Sequence, residues 1–201
     1  MPLANTKLNT KQFTVDDYQQ LAELGFLKAS DRIELINGEI VHMVAKGVAH
    51  EICITELNEA LIPLVKGLAK VRCQSPIALP PINSPEPDFA IVRSRLDRYI
   101  SGHPKAEDVL LVIEVSDSSI VYDQSTKLAL YAEHKLTHYW IFNLLDNILE
   151  SYCEPYQNNN GKWDYRSRQI HLPGDTITIP GLSEMRSLAL TNIFPPTNSV
   201  E

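Results

Sequence analysis

Residues 109–117 read VLLVIEVSD. Five successive apolar residues leave no polar face, which suits a strand covered on both sides rather than one with a side in water. Glu114 interrupts the run, and apolar Val115 follows it. A carboxylate taken out of water is costly unless it is paired or bound to a cation. A fold that accepts this strand therefore has to give Glu114 a partner.

The surrounding pattern supplies helices to cover such a strand. Thr14 and Asp17 form a capping box, and a helix is expected from there to about Phe26. In DRIELINGEIVHM, Asn37-Gly38 lies between two short apolar runs, the strongest local signal for a β-hairpin. A long amphipathic helix is expected from Val48 to about Lys70, bent at Pro63. Two strand-like runs follow, VRCQSPIAL and EPDFAIV, joined by PPINSP, which is expected to be stiff and extended. A second helix is expected from Asp123 to Lys135 and a strand over HYWIFNL. Hairpins should follow, with a turn at Asn158–Asn160, and a short helix in the closing residues. Helices that precede and interrupt a sheet with doubly apolar middle strands indicate an α/β sandwich, not a β-barrel.

The chain has 201 residues, 44% of them hydrophobic, enough for one globular domain. The expected boundaries are a flexible segment 1–12, a single domain 13–195 and a tail 196–201. A net charge of −7 provides no overall basic field. That counts against a protein that coats DNA, though not against an enzyme with a local cationic rim. The first residues lack the apolar core of a signal peptide, and nowhere do about 18 apolar residues run together, so no membrane association is expected. Cys53, Cys73 and Cys153 show no pairing or zinc pattern. They read as small buried residues of a protein in the reducing cytoplasm.

A second carboxylate, Asp88, sits between Pro-Glu-Pro and the apolar run FAIV. If the strands carrying Asp88 and Glu114 are neighbours, both acids project from one edge of the sheet. Two converging carboxylates repel, which favours a divalent cation between them. Oxygen ligands without cysteine or clustered histidine point to Mg²⁺ or Mn²⁺ rather than zinc. Such a site can lower the pKa of a bound water and clamp a phosphate. Lys127, thirteen residues after Glu114 on the returning helix, is the candidate cation for charge developing on phosphorus oxygens. Singly, each residue has an ordinary role: Glu114 at a strand end, Asp88 capping a turn, Lys127 pairing with Asp123 across one turn.

The span PEPDFAIV, VLLVIEVSDSS, YDQSTKLALYAEHKLTHYWIFNL resembles the Uma-two family of restriction-endonuclease-like proteins, within the PD-(D/E)xK nuclease superfamily. The likeness extends through IELINGEIV and covers roughly residues 14 to 180. It implies a restriction-endonuclease-like core, a central mixed sheet flanked by helices with additional C-terminal β-hairpins, and metal-dependent hydrolysis of DNA. By that resemblance Asp88 matches the Asp of PD and Glu114 the acid of (D/E)xK. The third element departs: Ser116, not lysine, stands two residues after Glu114, and Lys127 would be a lysine moved onto the following helix. Glu34 and His50 match recurrent positions of the family, as a third acid and as a phosphate or proton partner. Tyr131 lies one turn after Lys127 and could contact the same site.

Arg93, Arg95, Arg98 and Lys105 lie between the two acidic strands, where they could flank the site and hold phosphates. KWDYRSR, at 162–168, is a second basic stretch interleaved with aromatics. A homodimer would supply two sites for cutting both strands. Two rival readings stay open: a catalytically inactive relative that binds nucleic acid or protein, suggested by Ser116, and a hydrolase of another phosphoester.

Overall fold

The structure, a computed structural model, describes residues 10–196. Most of the segment expected to be flexible, 1–9, and most of the tail, 197–201, lie outside the described residues. Two compact units are present. Among the described residues, the first comprises residues 10–43 together with Leu79–Pro85, and the second comprises Val44–Ala78 and residues 86–196.

In the first unit, helix α1 (Val15–Glu23) starts where Thr14 and Asp17 exchange hydrogen bonds at 2.9 and 3.0 Å. It ends three residues earlier than expected. Gly25 takes φ +79, and Phe26 N–H turns back to the Leu21 carbonyl at 3.0 Å, a glycine-closed helix end. Strands β1 (Ile33–Ile36) and β2 (Glu39–His42) pair antiparallel across Asn37 and Gly38, both with positive φ, as the hairpin signal requires. A Cβ on Gly38 would meet Gln12 Cβ at 2.5 Å, so glycine is needed there for space as well. The proline-rich connector does not stay extended. Leu79 and Asn83 exchange backbone hydrogen bonds at 2.9 and 3.2 Å, and Ser84 then pairs with Leu35.

The second unit is built on a six-stranded sheet ordered β3-β4-β5-β6-β7-β8. Its strands are β3 (Ala69–Cys73), β4 (Phe89–Arg93), β5 (Val109–Ser116), β6 (His138–Asn143), β7 (Ile148–Gln157) and β8 (Trp163–His171). All neighbours are antiparallel except β5 and β6, which are parallel and joined by the crossover helix α3, residues 120–133. Strands β9 (Thr176–Thr178) and β10 (Ser187–Ala189) form a separate pair. The mixed sheet flanked by helices, with its C-terminal hairpins, is the expected α/β architecture. Among the described residues no helix is long and apolar enough to cross a membrane.

Helix α2 (Val48–Val65) stops short of the expected Lys70, which falls in β3. Pro63 lies in its last turn and Gly67 takes φ +85, so the chain leaves the helix rather than bending and continuing. Helix α3 begins as one α turn (Ile120–Tyr122), widens to a π turn (Asp123–Lys127) and resumes as α (Leu128–Glu133). Lys135, at φ +61, lies beyond its end. The closing residues make a turn, Ile193 N–H to the Leu190 carbonyl, and no helix among those described. Pro195 and Pro196 have no N–H with which to continue one.

The two sheet faces have different chemistry. Cys53, Leu57, Leu61 and Val65 of α2 pack with Phe89, Ile91, Leu111, Ile113, Trp140 and Phe142 in one core. The other face carries Asp88, Val112, Glu114, Tyr139, Ile141, Glu150 and Tyr152 toward α3, as strand alternation dictates. There Tyr131 meets Tyr139 edge-on at 5.0 Å, and Tyr139 stacks on Tyr152 at 5.9 Å.

Of the cysteines, only Cys53 is fully buried; Cys73 and Cys153 are partly exposed. Burial, then the charge of Asp88, pushes the Cys53 thiol far up. Native protein should therefore leave Cys53 unmodified by a thiol reagent that reacts fully after unfolding in urea. Leu57→Ala, which empties the α2 face of the core, should lower unfolding free energy by about 2–5 kcal/mol in urea titrations.

Candidate active site

Asp88 immediately precedes β4, whose first residue, Phe89, pairs with Ile113 of β5. The next step along brings Asp88 level with Glu114 on the α3 face. The two residues are cross-linked. Val115 N–H donates to Asp88 Oδ2 at 3.0 Å, and Asp88 N–H points at Glu114 Oε2 at 3.4 Å. Both are buried, with exposures of 7% and 3%. Each acid thus accepts from a backbone N–H at or next to the other, which ties the start of β4 to the end of β5.

Glu114 receives its main partners from α3. Lys127 Nζ donates to Glu114 Oε1 at 3.0 Å and Tyr131 OH to the same oxygen at 2.7 Å. Lys127 is itself 5% exposed. Residues 127 and 131 are one α turn apart and share a helix face, so one carboxylate oxygen can collect both. Lys127 therefore faces the acids, not solvent. Opposite-charge pairs held this deeply are costly to break, because removing one partner strands the other.

Asp88 is approached from the side by α2 and the residues ahead of it. His50 Nε2 lies 3.1 Å from Asp88 Oδ2, and His50 Nδ1 is buried without a hydrogen-bond partner. The second oxygen, Oδ1, is held less tightly, with Gln74 Nε2 at 3.5 Å and Lys46 Nζ at 3.7 Å. Burial raises the Asp88 carboxyl, but His50, the Val115 N–H and Lys46 together outweigh it and hold the group below the usual value.

Two further groups escaped sequence reading in this role. Lys46 sits directly before Gly47, where α2 starts, and a lysine preceding a helix whose first turn carries His50 was the available signal. Asp123, which sequence offered only as a surface partner for Lys127, is 3% exposed and accepts hydrogen bonds from Ser116 and Ser119 at 2.7 Å each. Burial is the main reason its carboxyl is raised, with Lys127 and the two hydroxyls opposing.

The expected basic rim is not beside the acids. Arg93 ends β4, five residues from Asp88, which at strand rise is about 16 Å. Arg95, Arg98 and Lys105 belong to the exposed loop at that far end of the sheet. Arg95 is already committed to Asp97 at 2.8 Å, Ser101 at 3.0 Å and Asp108 at 3.7 Å. An antiparallel β4–β5 pair puts the loop joining the strands at the opposite end from the two acids, the constraint a linear reading missed. In KWDYRSR, Lys135 covers the Trp163 ring at 3.4 Å and Arg168 pairs with buried Glu150 at 2.9 Å, so those side chains are spent within the fold. Glu34 belongs to the first unit, as a buried residue of β1 opposite Val41. Among the described residues no group of three or more His, Cys, Asp or Glu side chains is arranged to hold a metal ion.

The sequence profile of the Uma2 (Uma-two) family, described as "Putative restriction endonuclease", matches residues 15–191. A solved structure from Anabaena variabilis, described as "a putative nuclease belonging to DUF820", is similar to this chain with a TM-score of 0.64 at 16% sequence identity. The likeness covers 90% of this chain and 97% of that one, and at this identity it is a likeness of fold. No curated protein matches the chain. The matched span takes in both acids, His50 and Lys127, and the chain belongs to the Uma2 family of restriction-endonuclease-like proteins.

Proposed function

We propose that this protein is a metal-dependent endonuclease that hydrolyses DNA phosphodiesters. The observation that carries the reading is the convergence of Asp88, Glu114 and Lys127 at one level of one sheet face, with Lys127 reaching Glu114 from a helix although Ser116 stands in the strand position.

The donor set suits a small hard divalent ion. Asp88 and Glu114 offer oxygen only, and Asp88 Oδ1 has its partners at 3.5 and 3.7 Å, long enough to yield to a cation. Two carboxylates without a third protein acid match Mg²⁺, which keeps several waters and is completed by substrate phosphate, better than a closed zinc or calcium cage. Mn²⁺ accepts the same ligands. Asp88 and Glu114 would hold the ion, which supplies an activated water and polarises a phosphoryl oxygen. Lys127, already hydrogen-bonded to Glu114, would stabilise charge developing on the phosphate. Tyr131 orients Glu114. His50 orients Asp88 through Nε2 and would serve as a phosphate or proton partner.

DNA as substrate, a homodimer that would pair two sites for two strands and a cytoplasmic setting belong to the same proposal. The acidic chain, with its arginine loop at the far end of the sheet, implies that DNA is gripped by few phosphate contacts. A catalytically inactive, DNA- or protein-binding relative is the second reading. It is favoured by Ser116 and by the engagement of Glu114 Oε1 with two donors.

Supercoiled plasmid incubated with Mg²⁺ or Mn²⁺ tests the proposal, with variants compared at equal folded fraction. Wild type should nick it, and Glu114→Gln and Lys127→Met should each lower the rate by about 100-fold or more. Undiminished cutting by Glu114→Gln would place the activity elsewhere. Calorimetric titration with Mn²⁺, in the absence of DNA, should show binding that Asp88→Asn weakens by at least about tenfold; no binding by wild type would favour the inactive relative.

A further inference from the structure

The strand position that Ser116 occupies is not idle. Residues two apart on a strand share a face, so Ser116 and Glu114 both point toward α3, spaced by about 6.6 Å. On the helix that faces them, Asp123 and Lys127 are the first and last residues of the π turn. Two rungs result: Ser116 to Asp123 at 2.7 Å and Glu114 to Lys127 at 3.0 Å. Ser119 adds a second hydroxyl on the same Asp123 oxygen at 2.7 Å. Ser116 is fully buried and Asp123 nearly so, which makes the first rung as interior as the second.

The rung coincides with the only π turn among the described residues. Leu128 N–H donates to the Asp123 carbonyl five residues back, and Tyr139 OH donates to that carbonyl at 3.1 Å. Such a turn contains one residue more than an α turn and is otherwise disfavoured. Reversion to α geometry would rotate everything after it about the helix axis and turn Lys127 off Glu114. Gln124, the next residue, is tied to Glu150 of β7 at 2.7 Å, so with Ser116 of β5 and Tyr139 of β6 the wide turn is held against three strands at once.

We propose that Asp123 is a positioning residue for Lys127: gripped by Ser116 and Ser119, it pins the π turn of α3 to the end of β5 and so sets the lysine ammonium on Glu114. Ser116 then replaces a strand lysine by anchoring the helix that carries one. The proposal rests on the nuclease reading only for what Lys127 does to substrate.

The full-length protein without DNA provides the first test. Lysines are reductively methylated with formaldehyde and a borohydride reagent, and each site is followed by mass spectrometry. In wild type Lys127 should be among the slowest to react. Asp123→Ala should speed its modification at least about tenfold, the scale of one lost buried hydrogen-bonded group, with other lysines unchanged. Asp123→Asn keeps a carbonyl oxygen for both serines and should restore most of the protection. Should Asp123→Ala fail to fold, Ser116→Ala/Ser119→Ala removes the same grip and should give the same selective exposure. Unchanged protection of Lys127, or a rise shared by all lysines, overturns the proposal. On plasmid, at equal folded fraction, Asp123→Ala should lower kcat about tenfold while KM holds, and Asp123→Asn should recover kcat. Selective exposure of Lys127 in a protein that never cuts DNA would keep the positioning role and discard the nuclease reading; cutting with kcat unaffected by Asp123→Ala would do the reverse.

Discussion

The structure around the site depends on one expensive event, the burial of the Glu114 carboxylate in the middle of an apolar sheet. Such a charge is tolerated only when its oxygens are occupied. Here the partners come from two places: Lys127 and Tyr131 from α3, and the Asp88 N–H from the residue just before β4. Because neither can shift without stranding the charge, Glu114 sets the register of strand against strand and of helix against sheet. A Val or Thr at 114 would make the strand easier to bury and would remove one of the ties that hold α3 against the sheet.

That demand spreads across the sheet. The pairing Glu114↔Ile141↔Glu150 runs as one row over β5, β6 and β7 on the α3 face. Glu150, with no exposure, is held by Gln124, Asn143, Tyr152 and Arg168. Two buried carboxylates in the row therefore grip α3 at two places, through Lys127 and Gln124. The tyrosines between them fill the space that polar groups cannot, with hydroxyls directed to Glu114, the Asp123 carbonyl and the Leu136 carbonyl. Polar atoms on this face are satisfied in chains, whereas the opposite face is an ordinary apolar core under α2. The division assigns chemistry to one face and stability to the other.

The distribution of cations follows from topology. The antiparallel β4–β5 hairpin carries its long basic loop to the end of the sheet away from the acids, and the loop's Arg95 is taken up by Asp97, Asp108 and the Tyr99 ring. Next to the acids the positive groups are Lys127, already paired, and Lys46 at the site's edge. With a net charge of −7, long-range attraction to a polyanion is weak, and a bound divalent ion would carry much of the local positive charge.

Local interactions were legible in the sequence because they are decided by residues a few positions apart. The capping box at Thr14, the Asn37-Gly38 hairpin, the doubly apolar β5 and the order of helices and strands all follow from short-range sterics and hydrogen bonding. The two acids were legible because a charge inside an apolar run, and an Asp beside prolines and FAIV, break the pattern that burial imposes. Ends of helices were misjudged where a single glycine, Gly25 or Gly67, overrode a continuing apolar period. What only the tertiary structure decided was which distant groups meet. Lys127 on Glu114, His50 on Asp88 and Ser116 on Asp123 join residues 13, 38 and 7 positions apart, through a π turn that no residue pattern in 123–127 announces. The arginine loop went to the wrong end of a linear reading for the same reason: sequence fixes neighbours along the chain, while strand direction and helix register, set by the packing of buried charges, determine neighbours in space.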